Sequence, residues 1–222
     1  YQCEQTAGGT GCTNFGVCGK DPETAALQDL LIYATQGISM YAKRAQDLGS
    51  RDREVDVFVL EALFTTVTNV DFDPKRLEGL IHKAYQMKEK ARNMYLAACA
   101  QEGISPEELS GPAAWVPASN FGELVKQGEE VTLEKDIERW GKSVAGAKHL
   151  IIYGLKGMAA YADHAQILGV EDEEIYTFFH RTLDYLASDN FTLDELLSRA
   201  LQVGEYNLKV MALLDEAHTS TY

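Results

Sequence analysis

The sequence predicts an all-α fold, in which two three-helix units related by an internal repeat follow a short Cys/Gly-rich loop. Apolar residues recur at spacings of three and four along most of the chain, and no convincing run alternates with the period of two that marks a strand. Residues 30–49 (LLIYATQGISMYAKRAQDLG) align without gaps on residues 150–169 (LIIYGLKGMAAYADHAQILG), with ten identities in twenty positions. Five glycines and three of the four cysteines lie in the first 20 residues.

The composition excludes several classes of protein. The 222 residues are 45% hydrophobic and 24% charged, as in folded domains. The 20 Lys and Arg against 34 Asp and Glu argue against a nucleic-acid or anionic-membrane partner, since both require clustered cations. No signal peptide is evident, and the apolar runs, such as residues 150–153, are far shorter than a membrane span. We therefore expect a reducing, cytoplasmic compartment.

The first three-helix unit is predicted at residues 21–100. Its first helix begins at Asp21-Pro22-Glu23, because Asp caps free N–H groups and Pro fits the first helical position. The periodicity predicts helices over about 21–48, 52–68 and 74–99. The short connections between them predict that consecutive helices pack antiparallel.

A connector is predicted at residues 101–142, and the second unit at 143–222. Three of the five prolines lie in residues 101–131, which we expect to be irregular. The repeat then predicts three further helices, roughly over 143–168, 171–187 and 192–216.

The first 20 residues form the candidate metal site. Cys3, Cys12 and Cys18 place three soft thiolates on one glycine-rich loop, as an iron–sulfur cluster requires. Zinc also accepts thiolates, and three unrelated free thiols are the third alternative. The spacing leaves these alternatives open. Cys99, at the end of a predicted helix, is expected to be a small core residue.

Other chemistry is not supported by the sequence. A di-iron site in a helical bundle needs Glu-x-x-His pairs, and none of the five histidines has Glu three residues before it. No phosphate-binding loop, nucleophile elbow or paired-carboxylate motif is found. The repeated Gly37 and Gly157 are interpreted as places where a neighbouring helix comes close.

Three segments carry a family resemblance that spans essentially the whole chain. The opening YQCEQTAGGTGCTNFGVCGKDPETAALQDLLIY, the later KGMAAYADHAQILG and the closing MALLDEAHTSTY resemble the hybrid cluster protein family, also called the prismane family, whose members are hydroxylamine reductases. That family is related in fold to the nickel-iron carbon monoxide dehydrogenases.

The resemblance implies a [4Fe-4S] cluster on the N-terminal loop. Cys3, Cys12 and Cys18 match the second, third and fourth ligands of the family motif, and the short spacing matches the cubane form. The first ligand of the motif would stand immediately before Tyr1 and is absent from this sequence. By the same resemblance, Thr68 and Asn69 approach the hybrid cluster in the full protein.

The family protein is at least about twice as long, with two further α/β domains that hold the hybrid iron–sulfur–oxygen cluster where substrate is reduced. The resemblance therefore implies a helical domain that passes electrons from an unknown redox donor through its cluster to those domains, its partners. We expect this chain alone not to reduce hydroxylamine. The alternative is a stand-alone, non-catalytic helical interaction module whose cysteine site holds zinc or remains empty.

Overall fold

A computed structural model of the chain describes residues 1, 11–12, 14–188 and 190–221. These residues form seven α-helices and one short 3-10 helix, with no β-strand among them, which confirms the all-α prediction. The helices are α1 (Pro22–Asp47), α2 (Arg53–Thr65), α3 (Pro74–Glu102), α4 (Phe121–Glu129), α5 (Leu133–Ile167), α6 (Glu173–Leu186) and α7 (Leu193–Thr221), with the 3-10 helix at Gly111–Ala113. None of the described helices is long and apolar enough to cross a membrane.

Aspartates cap the beginnings of four helices, as helix-capping chemistry requires. The carboxylate of Asp21 accepts a hydrogen bond from the Thr24 amide at 2.7 Å, before Pro22 at the first position of α1. The other three caps are Asp52, Asp73 and Asp172, at the starts of α2, α3 and α6. The capping signals therefore locate these helix starts in the sequence.

Of the predicted segments, the connector departs most from its prediction, which was an irregular segment. It contains α4, whose Leu124 is fully buried, and the beginning of α5, ten residues before the predicted start at 143. Gly141, at φ 78° and ψ 164°, kinks α5 and interrupts its periodic pattern. A positive φ is readily adopted only by glycine, so the kink hides this first part of the helix from a periodicity argument.

The helices share one continuous hydrophobic core. The closest packing joins α1 to α3 and α5 to α7. Each short helix, in addition, packs mainly on the long first helix of the other unit, α2 on α5 and α6 on α1. The consecutive pairs α1–α2, α2–α3 and α6–α7 also pack on each other, but each short helix buries more of its apolar face against a helix of the other half of the chain.

Two close backbone contacts hold the connector against α1. A Cβ atom at Gly37 would collide with the carbonyl oxygen of Pro112, and one at Gly128 with that of Ala26. The predicted close approach is thus found at Gly37, although its neighbour is the 3-10 helix. At Gly157 the prediction is wrong, since this glycine is exposed and nothing lies within 4 Å of a Cβ there.

Candidate metal centre

The described part of the N-terminal loop contains two of its three cysteines. Cys3 lies outside the described residues. Cys12 is half-buried and Cys18 is exposed, and both have free thiols. Cys99 is buried in α3, as expected of a core residue. Within the described ranges, no group of three or more His, Cys, Asp or Glu side chains is arranged to hold a metal ion.

A glycine turn shapes the loop around Cys18. The Gly16 amide donates to the Lys20 carbonyl at 2.7 Å, and the Gly19 amide donates to the Gly16 carbonyl at 2.9 Å. Gly19 has φ 96°, a left-handed conformation that favours glycine. A Cβ atom at Gly16 would lie only 3.1 Å from the Cys18 sulfur. The space beside this sulfur therefore depends on the glycine.

Tyr1 holds the other described cysteine in place. Its ammonium group donates to the Cys12 carbonyl at 2.9 Å and lies 3.7 Å from the Glu134 carboxylate. Its hydroxyl donates to the carbonyl of Asn14. These contacts tie Cys12 to the beginning of α5.

The donor chemistry and the glycine turn fit an iron–sulfur cluster. Free thiols are the soft ligands such clusters use, and Gly16 leaves the Cys18 sulfur uncrowded. A cubane cluster takes four thiolates, of which the sequence supplies Cys3, Cys12 and Cys18 on this loop.

Beneath the loop lies a cavity of about 10 Å³, which is near the size of one water molecule. Five of its seven lining residues are buried, namely Ala25, Gln28, Asp29, Thr66 and Lys156. The other two are Tyr1 and Lys20.

Burial shifts the pKa values of the two charged groups in this cavity toward neutrality. Desolvation raises the pKa of Asp29 to about 7, although Lys156 beside it opposes the shift. Desolvation likewise lowers the pKa of Lys156 to about 8, against the attraction of Asp29. The buried pair can therefore gain or lose a proton near neutral pH.

Hydrogen bonds join the cavity wall to the end of α2. The Lys156 ammonium donates to the Thr66 carbonyl at 3.2 Å. Lys20 donates to the Gln28 side chain at 2.5 Å, and Gln28 donates to the Asp71 carbonyl at 2.8 Å. The loop, α1, α5 and the residues after α2 are thus connected through buried polar groups.

The turn after α2 contains Thr68 and Asn69, since the helix ends at Thr65 and not at 68 as predicted. Thr68 is half-buried and Asn69 is exposed. Asn69 has φ 66° and is the one non-glycine residue with a positive φ among the described positions. Such a conformation costs free energy and is frequent at functional sites.

A second, larger cleft of about 400 Å³ opens between α1, the 3-10 helix and α5. Within it, His149 Nε2 lies 2.6 Å from an Asp136 carboxylate oxygen, and Lys148 donates to the same carboxylate at 2.9 Å. Burial lowers the pKa of His149 despite its hydrogen bond to Asp136. Asp29 lines both this cleft and the cavity beneath the loop.

The sequence motifs do not indicate Asp29 and Lys156. Both stand on the first helix of a unit among core residues, where a charged residue interrupts the apolar pattern. The offset of the repeat pairs Asp29 with His149 and Lys156 with Gln36, so the charges are not repeated. The interrupted apolar face is the one signal that could have identified them.

A buried polar network in the core was also missed. The Ser39 hydroxyl lies 3.0 Å from His180 Nδ1, and Asp56 Oδ1 lies 2.8 Å from His180 Nε2. These are the residue types of a catalytic triad, but the serine faces Nδ1 and the aspartate Nε2, the reverse of a triad. Ser39 also has no exposed surface, and His180 is 1% exposed. A substrate has no access to it, so we interpret the network as structural.

Comparison with known proteins identifies the family of the chain. Residues 1–222 match the model of the Prismane/CO dehydrogenase family over the whole chain. The chain belongs to this family.

Three curated relatives of the chain carry the same name, hydroxylamine reductase. The chain is 48% identical to a hydroxylamine reductase of Geobacter sulfurreducens and 49% identical to one of Rhodospirillum rubrum. It is 42% identical to a hydroxylamine reductase of Methanocella arvoryzae. Each alignment covers 100% of this chain and 40% of the relative. The chain therefore spans about 40% of the length of these relatives.

Proposed function

We propose that this chain is the helical part of a hydroxylamine reductase and carries its electron-entry [4Fe-4S] cluster on Cys3, Cys12 and Cys18. The cluster would pass electrons to a hybrid cluster in the rest of a longer protein. The observation that carries the proposal is the pair of free thiols, Cys12 and Cys18, on the glycine-rich N-terminal loop of a chain whose relatives are named hydroxylamine reductases. The cluster supplies one-electron transfer when it is bound.

The geometry at Tyr1 supports a fourth ligand next to Cys12. The backbone nitrogen of Tyr1 is hydrogen-bonded to the Cys12 carbonyl at 2.9 Å. A residue attached to that nitrogen would have its Cα about 3.8 Å from the Cα of Tyr1. A cysteine immediately before Tyr1 would therefore stand beside Cys12, where the family motif has its first ligand.

The two sides of the loop differ in exposure to solvent. Buried Gln28 and Lys156 line the inner side and limit water there to a single small cavity. On the outer side Cys18 is exposed, between the exposed Val17 and the exposed turn at Gly19. Such a surface would let a redox donor approach the cluster from the outer side, while the inner side stays shielded from bulk water.

The reduction of hydroxylamine itself is assigned to the part of the relatives that this chain does not span. The aligned relatives are about two and a half times as long as the chain, which spans 40% of their length. The α/β domains implied by the resemblance would occupy that length and are the proposed partners, with a redox donor still to be identified. A reducing compartment such as the cytoplasm would keep the thiols free for the cluster.

The alternative, a stand-alone helical interaction module with a zinc or empty cysteine site, is not favoured by relatives that are all named as reductases. Metal analysis separates the two. The chain is purified without oxygen, reconstituted with ferrous iron and sulfide, and compared with a form extended by one cysteine before Tyr1. We expect iron and sulfide to bind in the extended form with the EPR signal of a reduced [4Fe-4S] cluster.

A form extended by serine is the matched control, because it adds the same backbone without a thiolate. It should hold the cluster less well than the form extended by cysteine. Zinc in place of iron, or no metal in any form, would contradict the proposed function.

A further inference from the structure

The inner side of the cysteine loop meets a buried pair of ionisable groups. Asp29 and Lys156 are 8% and 4% exposed, and both line the cavity beneath the loop. Tyr1 and Lys20, which flank the cysteines in sequence, close the same cavity. A charge placed on the loop would therefore act on this pair through protein, where electrostatic interactions are screened less than in water.

Asp29 also borders a second, solvent-open space. It lines the cleft of about 400 Å³ as well as the cavity beneath the loop. The cleft is open and carries further ionisable side chains. The cleft is thus the proposed source of the proton, on a side of Asp29 other than that of the cysteine loop.

From this arrangement we propose that the Asp29–Lys156 pair binds one proton when a cluster on the loop accepts one electron. The inference rests on the proposed cluster. The electron comes from a low-potential one-electron donor, and the proton comes from water in the cleft. An O–H bond forms on the Asp29 carboxylate, no bond of the cluster breaks, and the net charge of the region is unchanged.

The physical reason is charge compensation. Added negative charge on the loop raises the affinity of nearby buried groups for protons. The pKa of Asp29, raised by burial to about 7, makes its carboxylate available as a proton acceptor from about neutral pH upward. Lys156 keeps the carboxylate charged above that pH and is itself close to deprotonation, with a pKa lowered by burial to about 8.

Other charged groups also face the pair and influence its protonation. Those that act on Asp29 are the Tyr1 ammonium, Lys20 and Glu134. The charged and titratable groups that line the cleft side are Glu130, Asp136, Arg139, Lys148 and His149. Of these, Asp136 is already neutralised by Lys148 and hydrogen-bonded to His149, so it offers no free carboxylate that would replace Asp29.

The test measures the reduction potential of the reconstituted chain between pH 6 and pH 9, by optical titration with dithionite. We expect a flat profile below about pH 7 and a fall of about 59 mV per pH unit above it, the value for one proton per electron. Asp29→Asn and Lys156→Met should each reduce the slope severalfold. Asp163→Asn, which alters an equally buried aspartate of α5, should leave it unchanged.

A second measurement does not require the cluster. In the apo chain, the infrared band of a protonated carboxyl group should disappear as the pH rises through about 7, and this band should be missing in Asp29→Asn. A purely structural role of Asp29 would not produce this pH-dependent band.

The possible failures are distinguishable. A chain that holds iron and sulfide but has a pH-independent potential overturns the coupling and leaves the proposed function intact. A slope that persists in Asp29→Asn overturns the role of this residue. If the chain binds no iron, both the proposed function and the coupling are overturned, regardless of the infrared titration.

Discussion

His180 Nε2 lies 2.8 Å from Oδ1 of Asp56, and both residues are almost completely excluded from solvent. His180 belongs to α6 and Asp56 to α2, so the contact joins a helix of the second half of the chain to one of the first. Ser39 of α1 completes the network on the other ring nitrogen, and Arg51 donates to the second Asp56 oxygen at 2.7 Å. A single buried imidazole thus links three helices whose apolar faces are shared between the units.

Replacement of this imidazole should destabilise the whole fold. In His180→Ala, Asp56 and Ser39 each lose a buried hydrogen-bonding partner, and the lost ring volume leaves a cavity. We expect the free energy of unfolding to fall by about 2–4 kcal/mol. Urea denaturation followed by circular dichroism measures this change.

The exposed His218 provides the control for that experiment. His218→Ala should change the free energy of unfolding by no more than about 0.5 kcal/mol. Equal urea midpoints for the two variants would show that the buried network adds nothing to stability.

Two glycines at equivalent positions of the repeat should respond in opposite ways to alanine. In Gly37→Ala the new methyl group meets the Pro112 carbonyl, and we expect a loss of about 1–3 kcal/mol. In Gly157→Ala the methyl group enters open space on an exposed helix face, and we expect a gain of up to about 1 kcal/mol. Thermal unfolding of both variants measures the difference, and a similar loss in both would refute the close approach at Gly37.

These two glycines also show how far the sequence could predict the fold. Periodicity and aspartate caps predicted most helices to within a few residues, because both signals are local. The contact of Gly37 with Pro112 and the exposure of Gly157 are not local, and identical residues in a repeat cannot distinguish them. The early start of α5 was missed because Gly141 kinks the helix and breaks its pattern.

The sequence indicates the candidate ligands of the site but not their surroundings. Cysteine spacing and glycine content indicate the loop without any tertiary information. Asp29 and Lys156 stand 127 residues apart in the sequence (156 − 29), and only the fold brings them together beneath the loop. A buried pair of this kind has no sequence pattern of its own.

Acidification should weaken the fold through His149. Burial lowers the pKa of His149 in the folded state below its ordinary value near 6.5, so the unfolded state binds the proton first. The contribution of His149 to the free energy of unfolding should therefore decrease as the pH falls below about 6.5, opposite in sign to the contribution of Asp29, whose pKa burial raises. Urea titrations between pH 8 and pH 5 measure this decrease.

The same titrations on His149→Gln provide the comparison. This variant should lose part of the pH dependence in that window, because glutamine does not titrate. An unchanged dependence would show that His149 does not cause it. His218→Gln, altered at an exposed position, should behave as the unmodified chain.

The chain alone should not reduce hydroxylamine. We expect no turnover above background with dithionite-reduced viologen as donor, even when the cysteine loop holds a cluster. The reason is that the proposed catalytic cluster belongs to the part of the relatives that this chain does not span. Consumption of hydroxylamine, measured colorimetrically, is the readout, and sustained turnover would contradict the assignment of the reaction to the missing part.

The most direct test of the central claim is the iron and sulfide content of single cysteine variants, measured with EPR after anaerobic reconstitution of the form extended by cysteine. Cys3→Ser, Cys12→Ser and Cys18→Ser should each lose most of the bound iron and the signal of a reduced [4Fe-4S] cluster. Cys99→Ser, which alters the buried cysteine of α3, should retain both. Undiminished iron in all three loop variants would contradict the assignment of the cluster to this loop.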